Sequence, residues 1–134
     1  MTALDASAAA KLVVAETGTL EMRARFTSDD ELFSSSLLIG ELLRLATRIG
    51  ADYGVVERLL ARVELLAVDD SVLREAGRLR LPGTWVSTSD AIYLITAQRL
   101  EQTELLTYDQ QQARAADALG MRPSSPGWDQ DWWR

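Results

Sequence analysis

The sequence predicts a three-layer α/β domain built on a short parallel sheet of about five strands. Short apolar runs alternate with longer segments whose apolar residues recur at helical spacing. Glycine, proline or aspartate marks many of the boundaries between these segments. Strands separated by helices pair in parallel through right-handed crossovers. A chain of 134 residues is long enough for one domain with its own core.

The first strand and the first helix meet at an aspartate. Residues 2–4 form a short apolar run, which predicts a strand. Asp5 follows this run and is placed to cap an alanine-rich helix over residues 6–15. A second helical pattern covers residues 19–27, and residues 31–34 predict the second strand.

Two amphipathic helices come next. An apolar stripe predicts a helix over residues 37–49, which Gly50 ends. A second stripe predicts a helix over residues 53–65, followed by a strand over residues 66–68. The two stripes consist of Leu38, Leu42, Leu45 and Ile49, and of Val56, Leu59, Leu60 and Val63.

The second half repeats the alternation. Asp69 or Asp70 caps a helix that runs to about residue 79, and a Pro-Gly pair at 82–83 breaks the pattern. The remaining elements are a helix over residues 90–100, a strand over 104–107, a helix from Asp109 to residue 119 and a strand over 121–123. We therefore expect one domain over residues 1–123 and a Trp-rich C-terminal tail over residues 124–134.

The composition excludes several classes of site. The chain has no cysteine and no histidine, which removes disulfides, thiol nucleophiles, Ser-His-Asp triads and the usual zinc sites. Hydrolytic chemistry would have to use carboxylates, hydroxyls, arginine, the lone Lys11 or a bound metal. Oxygen ligands favour Mg²⁺ or Mn²⁺. The net charge of −6 argues against a bulk electrostatic grip on nucleic acid. The N-terminus lacks the features of a signal peptide, so we expect a cytoplasmic protein.

Four acids stand where an α/β fold would gather them. Asp5 and Asp109 follow predicted strands, Asp90 begins a predicted helix, and Glu41 lies on an apolar helical face. The carboxyl ends of parallel strands share one edge of the sheet, where ligands bind. A carboxylate placed against a core costs several kcal/mol unless a cation compensates it. The pattern predicts a shared divalent metal site.

Each acid also has a simpler interpretation when it is taken alone. Asp5, Asp90 and Asp109 are all placed to act as helix N-caps. Glu41 is able to pair with a nearby arginine. The metal hypothesis explains why all four would converge, whereas the caps explain each position separately.

Four short motifs resemble those of a known family. They occur in the family's order and cover nearly the whole chain, and the chain resembles PIN-domain proteins, specifically the VapC-type toxin ribonucleases of bacterial toxin–antitoxin pairs. The motifs are Leu4-Asp5-Ala6-Ser7-Ala8, Gly40-Glu41-Leu42, Ser89-Asp90-Ala91-Ile92-Tyr93-Leu94 with Thr96-Ala97, and Leu106-Thr107-Tyr108-Asp109 with Ala113, Ala116 and Leu119-Gly120.

The resemblance implies a metal-dependent endoribonuclease. Asp5, Glu41, Asp90 and Asp109 would be catalytic and would hold one or two Mg²⁺ or Mn²⁺ ions. Thr107 is expected to orient Asp109 or a metal water, and Ser7 is a second candidate for such a role unless it is only a cap. The family also implies a homodimer and a cognate antitoxin protein whose basic segment reaches the acidic site, in a groove between the first helices.

Two departures from the family pattern concern the site. Gln111 stands where some relatives carry a further acid, so a second metal would bind weakly or need substrate phosphate. Tyr93 stands where many relatives have histidine, and we expect it to affect packing more than chemistry. Arginines must supply any contact to phosphate, and Arg44 and Arg48 on the Glu41 helix are candidates that are equally interpretable as surface residues.

Two other functions fit parts of the pattern. A non-catalytic α/β interaction module would keep the fold and use the acids as caps. A phosphohydrolase with a nucleophilic aspartate would favour an acid two residues after Asp5, where Ser7 stands instead. The sequence leaves the RNA substrate open among transfer, ribosomal and messenger RNA.

Overall fold

The computed structural model describes residues 1–29, 31–101 and 103–134. Within these residues, a five-stranded sheet is flanked by seven helices. The strands are β1 (Thr2–Leu4), β2 (Leu32–Ser35), β3 (Glu64–Leu66), β4 (Glu104–Leu106) and β5 (Arg122–Ser124). The helices are α1 (Ala6–Ala10), α2 (Thr19–Ser28), α3 (Leu37–Ile49), α4 (Tyr53–Leu60), α5 (Asp70–Arg78), α6 (Thr88–Gln98) and α7 (Gln110–Ala118).

All strand pairings are parallel, and the strand order is β3-β2-β1-β4-β5. Alternate residues of each central strand face opposite layers of helices. Leu4 and Leu106 pack with α1 to α4, whereas Ala3 and Leu105 pack with α6 and α7. The predicted three-layer α/β/α fold is confirmed.

The core on the first face is formed by the apolar stripes of α1 to α4. α3 contributes Leu38, Leu42 and Ala46, all essentially inaccessible to water. Burying a leucine side chain stabilises the fold by roughly 1.5–3 kcal/mol. On the second face, α6 is buried from Ala91 to Ala97 because it packs against β2, α5 and α7. Both helices that bear an acid of interest, α3 and α6, are therefore firmly anchored.

Three boundaries differ from the prediction. α1 ends at Ala10, because the chain turns at Lys11, whose amide donates to the Ala8 carbonyl. α4 ends at Leu60, and β3 begins at Glu64, so the predicted helix over 53–65 and strand over 66–68 were wrong by several residues. Pairing with β2 sets the β3 register, and the apolar run at 66–68 carries no information about that pairing.

The ends of α5, α6 and β5 also bear on the prediction. Asp69, and not Asp70, is the N-cap of α5. Ser87 is the N-cap of α6, so Asp90 lies in the first turn of that helix and not at its start. β5 extends to Ser124 and crosses the expected boundary of the C-terminal tail. The division into a domain over 1–123 and a tail over 124–134 stays a prediction. None of the described helices is long and apolar enough to cross a membrane.

Candidate active site

Two of the four acids flank the point where the strand order reverses. In the sheet, β1 has β2 and then β3 on one side, and β4 and then β5 on the other side. Asp5 directly follows β1, and Asp109 follows β4 after two intervening residues. Leu4 pairs with Leu106, so the two strands end at the same level of the sheet. Ligands of open parallel sheets bind at such a reversal.

Asp5 is a buried carboxylate held at both oxygens. Asp5 is only 2% exposed to solvent. One oxygen accepts hydrogen bonds from the Ser7 hydroxyl at 2.6 Å and from the Ala8 amide at 3.0 Å. The other accepts from the Thr107 hydroxyl at 2.6 Å. The orientation of the Asp5 side chain is therefore fixed from both strand ends.

The same hydroxyls hold the backbone that leads to Asp109. The Ser7 hydroxyl accepts from the Tyr108 amide at 2.9 Å. The Thr107 hydroxyl accepts from the Asp109 amide at 3.2 Å. Thr107 thus donates its proton to Asp5 and contacts Asp109 through the backbone. Ser7 is a hydrogen-bond donor to Asp5 as well as a residue of the first turn of α1.

Asp90 is carried by the first turn of α6. Its amide donates to the hydroxyl of the N-cap Ser87 at 3.2 Å. Its carbonyl accepts a hydrogen bond from the side-chain amide of Gln112 at 3.0 Å, which links α6 to α7. The side chain is half-buried. Asp90 is therefore fixed through its backbone, and the Ser87 side chain also interacts with its carboxylate.

Glu41 lies on the half-buried face of α3. One of its carboxylate oxygens is buried, and no hydrogen-bond donor within the described chain pairs with it. The Tyr93 hydroxyl of α6 is also buried and meets no partner at strict hydrogen-bond geometry, but it lies close enough to Glu41 for a side-chain hydrogen bond to contribute to its raised pKa. Burial and then the Glu41 charge raise the pKa of Tyr93, which keeps its hydroxyl protonated. Tyr93 belongs to the apolar core on the first face of the sheet and also has Glu41 as an electrostatic neighbour. That it affects packing more than chemistry stays a prediction.

The four acids are electrostatically connected. Burial raises the pKa of Asp5 to about 6, and the charge of Asp90 adds to this shift. Burial also raises the pKa of Asp90, followed by repulsion from Asp109 and then from Glu41. Like charges disfavour one another's ionised forms at short range. Asp90 therefore interacts electrostatically with each of the other three sequence-predicted acids.

The family follows from comparison with known proteins. A model described as "PIN domain" matches residues 2–118. The chain belongs to the PIN-domain family. Two curated relatives come from Mycobacterium tuberculosis. Ribonuclease VapC46 is 39% identical over 126 residues, covering 92% of this chain and 95% of the relative. Ribonuclease VapC47 is 31% identical over 133 residues, covering 92% and 96%.

The fold is also shared with a solved toxin structure. Crystalline Mycobacterium tuberculosis VapC20, described as a Sarcin-Ricin loop cleaving toxin, has a TM-score of 0.73 and covers 86% of this chain and 95% of its own. At 18% identity the likeness concerns the fold alone. The resemblance to PIN-domain, VapC-type proteins that the motifs indicated is thus confirmed.

The donor set of this PIN domain fits a hard divalent cation. It consists of carboxylates and hydroxyls, which Mg²⁺ and Mn²⁺ prefer. Glu41 contributes a buried carboxylate oxygen that meets no donor at strict hydrogen-bond geometry. Burial is the main cause of the raised pKa values of Asp5 and Asp90, and neighbouring acids add to both shifts. A bound cation would offset these costs. Among residues 1–29, 31–101 and 103–134, no three acids form a ready metal-binding group, so the side chains would have to move closer to share an ion.

The capping interpretation holds for two of the acids. Asp5 caps α1 through the Ala8 amide, and Asp109 caps α7 by accepting from the Gln112 amide at 2.9 Å. Asp90 is not a cap, and Glu41 takes part in none of the ion pairs between described residues. A cap also fixes the carboxylate near a helix N-terminus, so the capping role is compatible with a role in the site.

Gln112 is the residue of this region that sequence reasoning missed. It is fully buried, its side-chain amide donates to the Asp90 carbonyl, and its own carbonyl oxygen has no partner in the described structure. A glutamine among the alanines of α7 reads as a surface residue from sequence. Helical spacing is the feature that indicates its burial, since Gln112 shares a face with buried Ala115 and Ala116.

A groove between α1 and α3 opens beside Glu41. Its wall includes Ser7, Ala10, Leu37 and Leu45, and exposed Arg44 and Arg48 lie at its edge. The groove is mainly apolar near the helices and positively charged at the arginines. It joins the acidic region through Ser7 and Glu41.

Proposed function

We propose that the chain is a metal-dependent endoribonuclease that hydrolyses RNA phosphodiester bonds and acts as the toxin of a toxin–antitoxin pair. Curated relatives named Ribonuclease VapC over almost the whole chain support the activity. The observation that supports the chemistry is that Asp90 interacts electrostatically with the three other acids, which come from separate parts of the chain.

In this proposal Asp5, Glu41, Asp90 and Asp109 hold one or two Mg²⁺ or Mn²⁺ ions. A bound ion supplies Lewis-acid chemistry for phosphodiester hydrolysis. The chain's own contribution is orientation. Ser7 and Thr107 fix both oxygens of Asp5, and the α7 N-terminus fixes Asp109.

The substrate and the protein partner would approach from the same side. Arg44 and Arg48 are exposed at the groove beside Glu41 and are placed to contact RNA phosphates. We propose that a cognate antitoxin presents a basic segment to the acidic region through this groove, because opposite charges favour the encounter. We further propose that the chain forms a homodimer and acts in the cytoplasm, where its RNA substrate would be found.

The test is cleavage by the parent and by charge-removing variants. Asp5→Asn and Asp90→Asn keep the size of the side chain, and Asp117→Asn on the exposed surface of α7 is the matched control. We expect sequencing of RNA 5′ ends after expression to show new, discrete ends for the parent and for the control, and none for the other two variants. Equal cleavage rates of purified parent, Asp5→Asn and Asp90→Asn would refute the proposal.

A non-catalytic interaction module is the second candidate. It is favoured by the capping roles of Asp5 and Asp109 and by the lack of a ready metal-binding group in the described part of the chain. This candidate predicts that divalent cations stabilise the protein no more than salt of equal ionic strength does. The endoribonuclease predicts specific stabilisation by Mn²⁺.

A further inference from the structure

The C-terminal tail, residues 124–134, contacts the segment that bears Asp109. The PIN-domain match ends at residue 118, so these contacts lie outside the part that the family model describes. Thr107, Tyr108 and Asp109 connect β4 to α7 and belong to neither element. Only the Thr107 amide continues the pairing with β5, so the groups around the rest of this connection must fix its conformation.

The tail holds the backbone of Thr107 from both directions. The Thr107 amide donates to the Ser124 carbonyl at 3.0 Å. The Ser125 hydroxyl donates to the Thr107 carbonyl, and the Trp132 indole donates to the Ser125 hydroxyl at 2.8 Å. The Thr107 amide is therefore bound by the last residue of β5, and the Thr107 carbonyl is bound by the residue that follows this strand.

The next residue is held through its side chain. The Tyr108 hydroxyl donates to the Pro126 carbonyl at 2.7 Å. Its ring packs edge-to-face on Trp128, with ring centroids 5.0 Å apart. Lys11 lies beside both rings, with its ammonium 4.8 Å from the Tyr108 centroid and 5.2 Å from the Trp128 centroid, and it pairs with Glu16 at 3.3 Å. This buried lysine connects the end of α1 to the tail.

The tail also contacts the helix that Asp109 caps. The Trp133 carbonyl accepts from the Arg114 side chain at 2.9 Å and from the Gln110 side-chain amide at 3.4 Å. Trp133 is buried, with 5% exposed. The tail therefore touches the peptide before Asp109, the ring beside it and the helix after it.

We infer that the C-terminal tail is a positioning element that fixes the Thr107–Asp109 segment, and with it the Asp109 carboxylate, in the proposed nuclease site. The inference rests on the proposed function. Displacement of a reacting group by about 1 Å costs on the order of a hundredfold in rate. Ser125 and Tyr108 act as positioning residues through the backbone.

The experiment uses variants that each remove one hydroxyl. Ser125→Ala breaks the bond to Thr107, and Tyr108→Phe breaks the bond to Pro126. Ser28→Ala and Tyr53→Phe are matched controls, since these exposed hydroxyls bond only to Arg25 and Thr47. Ser125→Thr tests rescue by a residue that keeps the hydroxyl. The readouts are kcat and KM on an RNA oligonucleotide at saturating Mn²⁺, and amide hydrogen exchange of residues 105–110 in metal-free protein.

We expect the Ser125→Ala, Tyr108→Phe double variant to lose about tenfold in kcat with KM unchanged. Exchange should accelerate at Thr107 and Asp109 in the metal-free double variant. The single variant Ser125→Thr, which keeps the hydroxyl, should match the parent in both readouts, whereas Ser125→Ala should not. Unchanged kcat and exchange in the double variant, with Asp109→Asn inactive, would overturn the inference and leave the proposed function standing. A parallel loss of melting temperature and of exchange protection throughout the chain would show a merely structural role and also overturn it. Full activity of Asp109→Asn would refute the proposed function itself, together with the inference.

Discussion

At the scale of single residues, Asp5 shows which of two opposing effects dominates. Three hydrogen bonds to its carboxylate favour the ionised form, whereas burial favours the neutral form. The balance falls on the side of burial, because the pKa of Asp5 rises from 3.8 to about 6. At neutral pH the metal-free protein therefore keeps a charge in place at the expense of stability, which is typical of functional sites.

This balance predicts that Asp5→Asn stabilises the metal-free protein at pH 7. The folded-state pKa of Asp5 lies above its unfolded value, so the folded state binds more protons between pH 3.8 and about 6. The free energy of unfolding of the parent should accordingly rise as the pH falls through 6. The pKa shift of Asp5 from 3.8 to about 6 corresponds to about 3 kcal/mol. The gain in stability is smaller than this by the free energy of the hydrogen bond that the asparagine amide nitrogen cannot accept. Urea unfolding in chelator at pH 7 and pH 5 checks this.

The Asp5→Asn gain should shrink at pH 5, where Asp5 of the parent is largely protonated. Asp117→Asn, an exposed change, should show no gain at either pH. A variant that is equally destabilised at both pH values would show that hydrogen bonding, and not charge, dominates at Asp5.

At the scale of elements, apolar periodicity predicted the helices, whereas the bounds of a strand depend on its pairing partner, which periodicity does not show. The helix expected over residues 37–49 is α3 with the same bounds. Leu38 and Leu42 of its predicted stripe are buried, whereas Ile49 at its end is 45% exposed. β3 shifted because its bounds depend on pairing with β2, a contact that no local pattern encodes. The four acids were singled out because each stands at a strand end or on a helix, and their shared role stays a prediction. Gln112 was missed because its burial depends on how α7 meets α6.

The junction between β1 and β4 yields an element-scale prediction. Thr107 is fully buried, and its hydroxyl connects the Asp5 carboxylate to the Asp109 amide. Thr107→Val keeps the shape but leaves an acceptor and a donor unpaired, so we expect a loss of about 1–3 kcal/mol in unfolding free energy. The pKa of Asp5 should also rise further, because the Thr107 hydrogen bond lowers it.

Thr27→Val is the control for Thr107→Val, since its exposed hydroxyl bonds only to the Arg23 carbonyl of its own helix. Urea unfolding measures the stability, and NMR titration of the carboxyl carbons follows Asp5. An unchanged Asp5 titration in Thr107→Val would show that the two strand ends are held independently.

At the scale of the whole molecule, the sheet and its two helical layers hold together acids that are far apart along the chain. Residues 5, 41, 90 and 109 come from four different elements or their ends. Only the folded state brings them close enough to interact electrostatically. The unfolded chain offers a divalent cation no such cluster. A ligand that binds only the folded state raises stability in proportion to the logarithm of its concentration.

Mn²⁺ should therefore raise the melting temperature of the intact protein. At a hundredfold excess over its Kd, the gain is about 2.7 kcal/mol, or on the order of 10 °C for a chain of this length. Chelator should reverse the shift, and Asp90→Asn should reduce it strongly. Protons compete for the same carboxylates, so the shift should decrease as the pH falls from 7 to 5 through the raised pKa of Asp5. NaCl of equal ionic strength is the control, because it screens exposed charges without binding a specific site. If Mn²⁺ and NaCl give the same shift at every pH, the four acids bind no specific cation, and the interaction module becomes the better account of the protein.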